Sequence, residues 1–590
     1  MIIYLKELLS LLGDDVKKIP LLILFFFGSA ILDVLGIGLI APYVALVMDA
    51  DALNGRFGFV FELFNIPREH SKMLIVIGLG LLGTFIIRAA AAIWVNGEII
   101  KFSTNQTVRM STFLMRSYQS LPYTEYLKRN SSEYIYSIQV LTSKFSMILI
   151  LLLKAVSDGI VVIAIVLLLA FKDINALLIL MILLGSLVWG YDHLLRTKIK
   201  NYGKKANISA TSIVQRVQEG IDGLKEIRVL GKEKYFLESV SNAAEEFSTY
   251  SAKTQILSAI PRFLLELMMI AFVVALVIST VLTGGDVLAL TPTLSMFAVA
   301  ALRLLPSANT LANTLIQLRH SRDSISRLFS DVKNLQENKV ANYLNETKGI
   351  CRERFISLDL NKIYYSYPGE KKSAINDISL KIKSGESIGI IGASGSGKTT
   401  LINIMLGLIK PTKGKIVYNG VETRKDENYW NNQVAYLPQE IFLIDNSLRN
   451  NIGLGVDSDE IDNEKIYDSL IRSKLIKLTK QLPEGVETLI GERGARLSGG
   501  QRQRVSLARA FYHGRSVLVM DEATSALDSE TEREIVNEIE KLRGENTMII
   551  IAHRLSTLQH CDRIYQLIDG AVVKEGSYEM MVSRKTTTED

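Results

Sequence analysis

The stretch Gly392 to Thr400, GASGSGKTT, fits the pattern G-x-x-x-x-G-K-[ST], and its chemistry is that of a phosphate cradle. In such a loop Gly392, Gly395 and Gly397 let backbone N–H groups turn inward, with Ser394, Ser396 and Thr400 beside them. Lys398 reaches the β- and γ-phosphates, and Thr399 offers its hydroxyl to Mg2+. A second group lies at Val517 to Glu522, VLVMDE, an apolar run ending in two carboxylates. There Asp521 suits Mg2+, held through water, and Glu522 suits the orientation and activation of an attacking water.

A third group consists of guanidinium groups inside apolar segments, where each charge is costly and normally faces a cavity or a partner. Arg88, Arg262 and Arg303 all fall in the inner half of the segments that carry them, and guanidiniums at one depth suit a phosphate or carboxylate. Salt bridges are the alternative. Glu266 lies one turn from Arg262, and Asp33 could serve Arg88 or Arg303. Lys154 and Asp158 have i, i+4 spacing, which reads as a pair that neutralises itself.

The elements that must position these groups divide the chain in two. Of 590 residues 48% are hydrophobic, and the mean hydropathy of +0.22 is too high for an ordinary soluble protein. The apolar residues concentrate before about residue 330, in six candidate crossings near 20–48, 73–98, 135–171, 174–196, 254–283 and 287–318. A net charge of +6 fits positive flanks on membrane helices better than nucleic-acid binding. The two cysteines, Cys351 and Cys561, are too few for a disulfide framework and read as free thiols.

Residues 1–16 read as a short amphipathic helix on the membrane surface, and Lys17 and Lys18 favour a cytoplasmic N-terminus. A cleaved signal peptide does not fit, because the strong apolar run starts after those lysines and continues too far. Tight turns at Phe171 to Ile174 and at Gly284 to Asp286 join crossings three to four and five to six. The connections between crossings two and three and between four and five, both cytoplasmic, are long, and their apolar residues recur at helical spacing, which predicts helices extending into water. Contact helices are expected near Tyr123 to Arg129 and Gly223 to Tyr235. The outer loop Asp49 to Lys72 carries Phe57, Phe59, Phe61 and Phe64 and could form a small amphipathic helix. The expected domains are a transmembrane domain at 17–330, a linker at 331–354 and a soluble α/β domain at 355–590.

With LSGGQ at Leu497 to Gln501 added to the phosphate loop and the acidic strand, the chain resembles the ATP-binding cassette (ABC) family over nearly its whole length. SYPG at Tyr367, LPQE at Gln439, GERG at Gly491, SALD at Ser525 and IAHRLS at His553 follow in the family's order. The resemblance implies that Tyr367 stacks on adenine, that Gln439 senses Mg2+ and couples to the membrane helices, and that His553 contacts the γ-phosphate. It implies further that Ser498, Gly499, Gly500 and Gln501 complete the nucleotide site of a partner subunit. The implied fold is an exporter-type membrane domain of six helices joined to a P-loop NTPase domain, with ATP and Mg2+ as cofactors. One copy of each element per chain implies a homodimer in the inner membrane, with both ATP sites complete.

Within the exporters, the sequence resembles the bacterial flippases of lipid-linked oligosaccharides that serve protein N-glycosylation. LNGRFGFVFELFNIP, IIRAAAA around Arg88, IPRFLLE around Arg262 and ALRLLPSANT around Arg303 carry that likeness. It implies that the three arginines meet a pyrophosphate headgroup, and it departs at Thr310, where a fourth arginine is expected. The implied partners are membrane lipids and an anionic amphiphile, with no nucleic acid. Drug, lipid or peptide exporters share the architecture; a soluble cassette ATPase does not fit six crossings.

Overall fold

Three helices of 49 or 50 residues dominate the N-terminal part of the chain. At 1.5 Å per residue each is roughly 75 Å long, far more than a bilayer core of about 30 Å, so each continues into water. The structure, a computed structural model, describes residues 2–48, 70–172, 174–282, 291–337, 354–370, 372–422, 433–521, 540–552 and 555–582. Contacts group the chain into two units, Met1–Leu121 with Tyr126–Leu344, and Pro122–Glu125 with Asn345–Asp590.

In the first unit the order is α1 (Ile2–Leu12), a 3-10 turn (Gly13–Lys18), α2 (Ile19–Met48), α3 (His70–Gln119), α5 (Ser131–Tyr136), a π turn (Ser137–Leu141) and α6 (Thr142–Lys172). The helix α4 (Tyr123–Tyr126) stands between α3 and α5. Then come α7 (Ile174–Asp222), α8 (Leu224–Leu230), α9 (Glu233–Leu282), α10 (Thr291–His320) and α11 (Arg322–Glu337). Among the described residues, α2, α3, α6, α7, α9 and α10 therefore stand at the six expected crossings. Among the described residues, four stretches, Ile3–Leu39, Leu74–Gln119, Ser131–Ala170 and Glu233–Ile278, are long and apolar enough to cross a membrane on length and hydropathy.

The long connections are continuous helix, as the recurring apolar residues predict. They end in short turns: α4 is a single turn, and α8 is set off by Gly223 and by Gly231, whose φ of +61° favours glycine. The N-terminal helix packs one face on protein. Tyr4, Leu8, Leu11 and Leu12 are buried in a core shared with Ile325, Leu328 and Val332 of α11. Burial of such side chains stabilises by about 1.5–3 kcal/mol each. Arg322 pairs with Glu7 at 3.2 Å and lies over the Tyr4 ring, so the buried face of α1 is committed to protein, while Ile3 and Leu9 remain exposed. The Phe57 to Phe64 loop, the turns at Asp173 and at Gly284 to Asp286, and linker residues 338–353 with Cys351 lie outside the described residues.

The second unit is built on two sheets. β1 (Ser357–Tyr365), β2 (Ile375–Lys383), β4 (Lys413–Tyr418) and β5 (Val421–Glu422) form an antiparallel sheet in the order β2-β1-β4-β5. The larger sheet, β10-β9-β3-β8-β7-β6, uses β3 (Ser387–Ile391), β6 (Val434–Leu437), β7 (Val517–Asp521), β8 (Thr547–Ile551), β9 (Arg563–Ile568) and β10 (Ala571–Gly576). All its pairings are parallel except β9 with β10. Its central strands read as near-continuous apolar runs because parallel sheets are covered on both faces. β7 and β8 are buried at every position. Among the described residues, the helices α12 (Lys398–Met405), α13 (Leu448–Ile452), α14 (Asn463–Arg472), α15 (Ile476–Gln481), α16 (Gly499–Tyr512) and α17 (Tyr578–Val582) accompany these sheets.

Candidate functional site

The phosphate loop leaves the end of β3 and enters α12, so backbone N–H groups at the helix start face outward from the C-terminal edge of a parallel sheet. Two glycines are required by the close approach of other backbone. Gly397 has φ +100°, and a Cβ there would lie 2.7 Å from Ala374 O; at Gly392 a Cβ would lie 2.4 Å from Leu567 O. The buried Lys398 donates from Nζ to Gly392 O at 2.8 Å and to Ala393 O at 3.0 Å, folded back over its own loop. Ser396 Oγ is buried with no hydrogen-bond partner among the described residues.

A cavity of about 350 Å3 opens over this loop, lined by Ser394, Gly395, Gly397, Lys398, Thr399 and Thr400 and closed on another side by Tyr367. Tyr367, expected to stack on adenine, shares a hydrogen bond with Thr400 Oγ1 at 3.1 Å and meets the Tyr365 ring edge-on. Sequence reasoning did not find the rest of the rim. Lys372 donates to Asp569 at 2.8 Å, and both residues line the cavity although they lie far apart in sequence. The start of β2 meets the β9–β10 turn, where Asn376 donates from its backbone N–H to Gly570 O at 2.8 Å and from its side-chain amide to Asp569 O at 3.0 Å, and this contact between the two sheets brings Lys372 and Asp569 together.

Asp521, buried at the end of β7, accepts a hydrogen bond from the Tyr436 hydroxyl at 3.0 Å. Burial, and then the charge of Asp521, push the Tyr436 hydroxyl well above the usual tyrosine range, so it remains a donor. Gln439 follows β6 and is exposed. Thr399, Asp521 and Gln439 offer hydroxyl, carboxylate and amide oxygens, a hard donor set that fits Mg2+. The proposed water-activating Glu522, His553 and the SALD segment lie outside the described residues.

LSGGQ forms a separate helix start. Ser498 caps α16: its Oγ accepts from Gln501 N at 3.3 Å, and Gln501 Oε1 accepts from Ser498 N at 2.9 Å. This capping box leaves Gly499 and Gly500 as a bare first turn, a second place where backbone N–H groups present themselves to an anion. Cys561 is buried, and burial pushes its thiol up to about 12, so it is not a nucleophile.

In the first unit Arg88 on α3 and Arg303 on α10 converge on a single carboxylate. Asp33 of α2 is 1% exposed; its Oδ1 pairs with Arg88 and its Oδ2 with Arg303 Nη2 at 3.0 Å. The arginines themselves are 25% and 29% exposed. Arg262 pairs instead with Glu266, one turn on along α9, at 3.1 Å and largely in the open. Asp158, read from spacing as the partner of Lys154, is also within the field of Arg303 and Asp33 and within hydrogen-bond reach of Thr310. The polar cluster therefore joins α2, α3, α6 and α10.

Residues 375–525 match the family described as ABC transporter. The chain is 27% identical to the ATP-dependent lipid A-core flippase of Cupriavidus metallidurans, over 94% of this chain and 91% of that protein. It is 28% identical to the protein of the same name from Francisella novicida, over 88% of this chain and 87% of that one. Its fold matches the structure of a bacterial Atm1-family ABC exporter with ATP bound, with a TM-score of 0.75 over 97% of both chains at 18% identity. The chain carries an ABC transporter domain on an exporter-type fold, binds ATP, and couples ATP hydrolysis to transport across a membrane.

Proposed function

We propose that this ATP-driven exporter flips an anionic amphiphile with a phosphate-bearing head from the inner to the outer leaflet, working as a homodimer in the inner membrane with the cassettes in the cytoplasm. The observation that carries this reading is the convergence of Arg88 and Arg303 on Asp33 within membrane helices. Charge of this kind inside a membrane is retained for a pathway or a ligand. The relatives are named for the lipid A core, a lipid cargo, and the sequence around the three arginines resembles flippases of lipid-linked oligosaccharides. A polyprenyl-pyrophosphate oligosaccharide is the substrate proposed.

ATP would sit between the loop at Gly392–Thr400 of one subunit and Ser498–Gln501 of the other, with Tyr367 against the base. Lys398 would leave its contacts with Gly392 O and Ala393 O for the phosphates, and the closing of the two cassettes would draw the membrane helices toward an outward-facing state. Mg2+ held by Thr399 and Asp521, with Gln439 beside them, would neutralise phosphate charge. Glu522 would activate water for hydrolysis, with His553 at the γ-phosphate.

The test is translocation in liposomes, read as protection of labelled polyprenyl-pyrophosphate oligosaccharide, with a lipid A-core glycolipid, a bulk phospholipid and a hydrophobic cationic drug as parallel cargoes. Glu522→Gln should bind ATP and lose turnover, whereas Arg303→Ala should lose flipping and keep basal ATPase. Protection of the drug alone would favour a drug exporter of the same architecture. Equal loss of flipping and ATPase in Arg303→Ala would assign the arginine to a structural ion pair.

A further inference from the structure

The ion pairing around Asp33 has a charge balance that bears on which headgroups the protein accepts. Arg88, Arg303 and Lys154 supply three cations, and Asp33 and Asp158 two carboxylates, so the cluster keeps one net positive charge per subunit. The placement is asymmetric. The carboxylate of Asp33 is sealed away from solvent, while about a quarter of each arginine side chain is exposed. A guanidinium has five N–H donors, and Asp33 uses one edge of each, leaving others for a second anion. Asp33 thus cancels charge while each arginine keeps N–H donors beyond the one directed at the carboxylate.

We infer that Asp33 is a specificity-determining residue that matches the protein to a dianionic headgroup. The inference rests on the reading of Arg88 and Arg303 as headgroup contacts in a homodimer. Two subunits then present two net positive charges. In a low-dielectric site an excess or a deficit of charge is heavily penalised, so the best ligand is the one that brings the sum to zero. A pyrophosphate diester, with two negative charges, does so; a phosphodiester leaves one positive charge over, and a pyrophosphate monoester leaves one negative. Without Asp33 the pair of subunits would carry four net positive charges, and the preference would move toward heads of higher charge.

The experiment uses the full-length protein in nanodiscs with three lipids that share one polyprenyl tail: a phosphodiester-linked sugar, a pyrophosphate-linked sugar and the free pyrophosphate monoester. Binding is measured by native mass spectrometry, and stimulation of ATPase by titration. For the unaltered protein the pyrophosphate diester should bind tightest, and equal or tighter binding of either other head overturns the proposal. In Asp33→Asn the ratio of monoester to diester affinity should rise at least tenfold, whereas Asp33→Glu should keep the original order. A ratio that rises less than tenfold in Asp33→Asn overturns the charge-matching role and leaves the proposed function standing. If none of the three lipids binds or stimulates the unaltered protein, the proposed function falls and the inference with it. Should Asp33→Asn not fold, the order measured on the unaltered protein and on Asp33→Glu still decides.

Discussion

The Tyr436 hydroxyl donates to Asp521 Oδ2 across 3.0 Å, tying the middle of one parallel strand to the end of its neighbour. Tyr436 is in register with Val519, so its side chain reaches two residues forward to the carboxylate proposed for Mg2+. A hydrogen bond to a charged group contributes about 1.5–3 kcal/mol, and here it fixes which way the carboxylate points. In Tyr436→Phe the Mg2+ concentration for half-maximal ATPase should rise about tenfold, corresponding to ~1.4 kcal/mol. Binding of ATP in the presence of a chelator should be unchanged. An unaltered Mg2+ titration would show that the bond does not orient Asp521.

That bond also shows where the sequence stops being informative. The phosphate loop, VLVMD and LSGGQ are legible because phosphate chemistry needs glycines, a lysine and an acid at fixed spacing on a strand and a helix start. Tyr436, Lys372 and Asp569 carry no such spacing: Tyr436 reaches the site through strand register, and the other two through the contact of the β9–β10 turn with the start of β2. In the membrane unit the six helices and their extensions are legible from apolar runs and helical periodicity. The sharing of Asp33 by Arg88 and Arg303 depends on helix rotation, which a run apolar on every side leaves open. The docking of α1 on α11 is hidden from the sequence for a related reason. An amphipathic face suits a lipid surface and a protein groove equally, and α11, the groove that buries it, lies about 320 residues downstream.

Ser498→Ala tests the second helix start. Loss of the cap should cost about 1 kcal/mol locally, since the Gln501 N–H loses its acceptor. Faster amide exchange at Gly500 and Gln501 should accompany this. If α16 completes the partner's ATP site as proposed, ATPase should fall at least tenfold, with ATP binding to the phosphate loop retained. Normal turnover in a variant with a measurably frayed helix would argue against that role.

His320, at the cytoplasmic end of α10, makes stability depend on pH. Its Nδ1 is buried without a hydrogen-bond partner among the described residues, and burial, then nearby Lys144, lower its pKa to about 4. The unfolded chain has the ordinary value near 6.5 and binds the proton more readily. The stability that comes from keeping this imidazole neutral is therefore complete above about pH 6.5 and is lost as the pH falls toward 4. Between pH 7.5 and 5 the loss should be roughly 2 kcal/mol, seen as a falling Tm in nanodiscs. His320→Gln should flatten that part of the profile relative to the unaltered protein, and parallel profiles would refute the assignment.

Gly203 on α7 provides a test in which two effects oppose one another. In a helix interior alanine is favoured over glycine by about 0.5–1 kcal/mol, so Gly203→Ala would stabilise an isolated α7. Here, however, a Cβ would lie 1.9 Å from His320 O and 2.7 Å from His320 C, where α10 gives way to α11. The obstacle is backbone, which cannot rotate aside as a side chain can, so α7 must move away from the α10–α11 junction. Overpacking of this kind costs typically 1–3 kcal/mol, more than the gain in propensity. The same junction holds Asn207 between Tyr136, Ser324 and Asp323, contacts that a displaced helix would stretch together. Gly190→Ala on the same helix, where a Cβ meets nothing within 4 Å, is the matched control. Tm should fall in Gly203→Ala and hold or rise in Gly190→Ala. Equal responses would mean that the α7 approach to His320 is soft enough to yield, and that glycine at 203 is not required by packing.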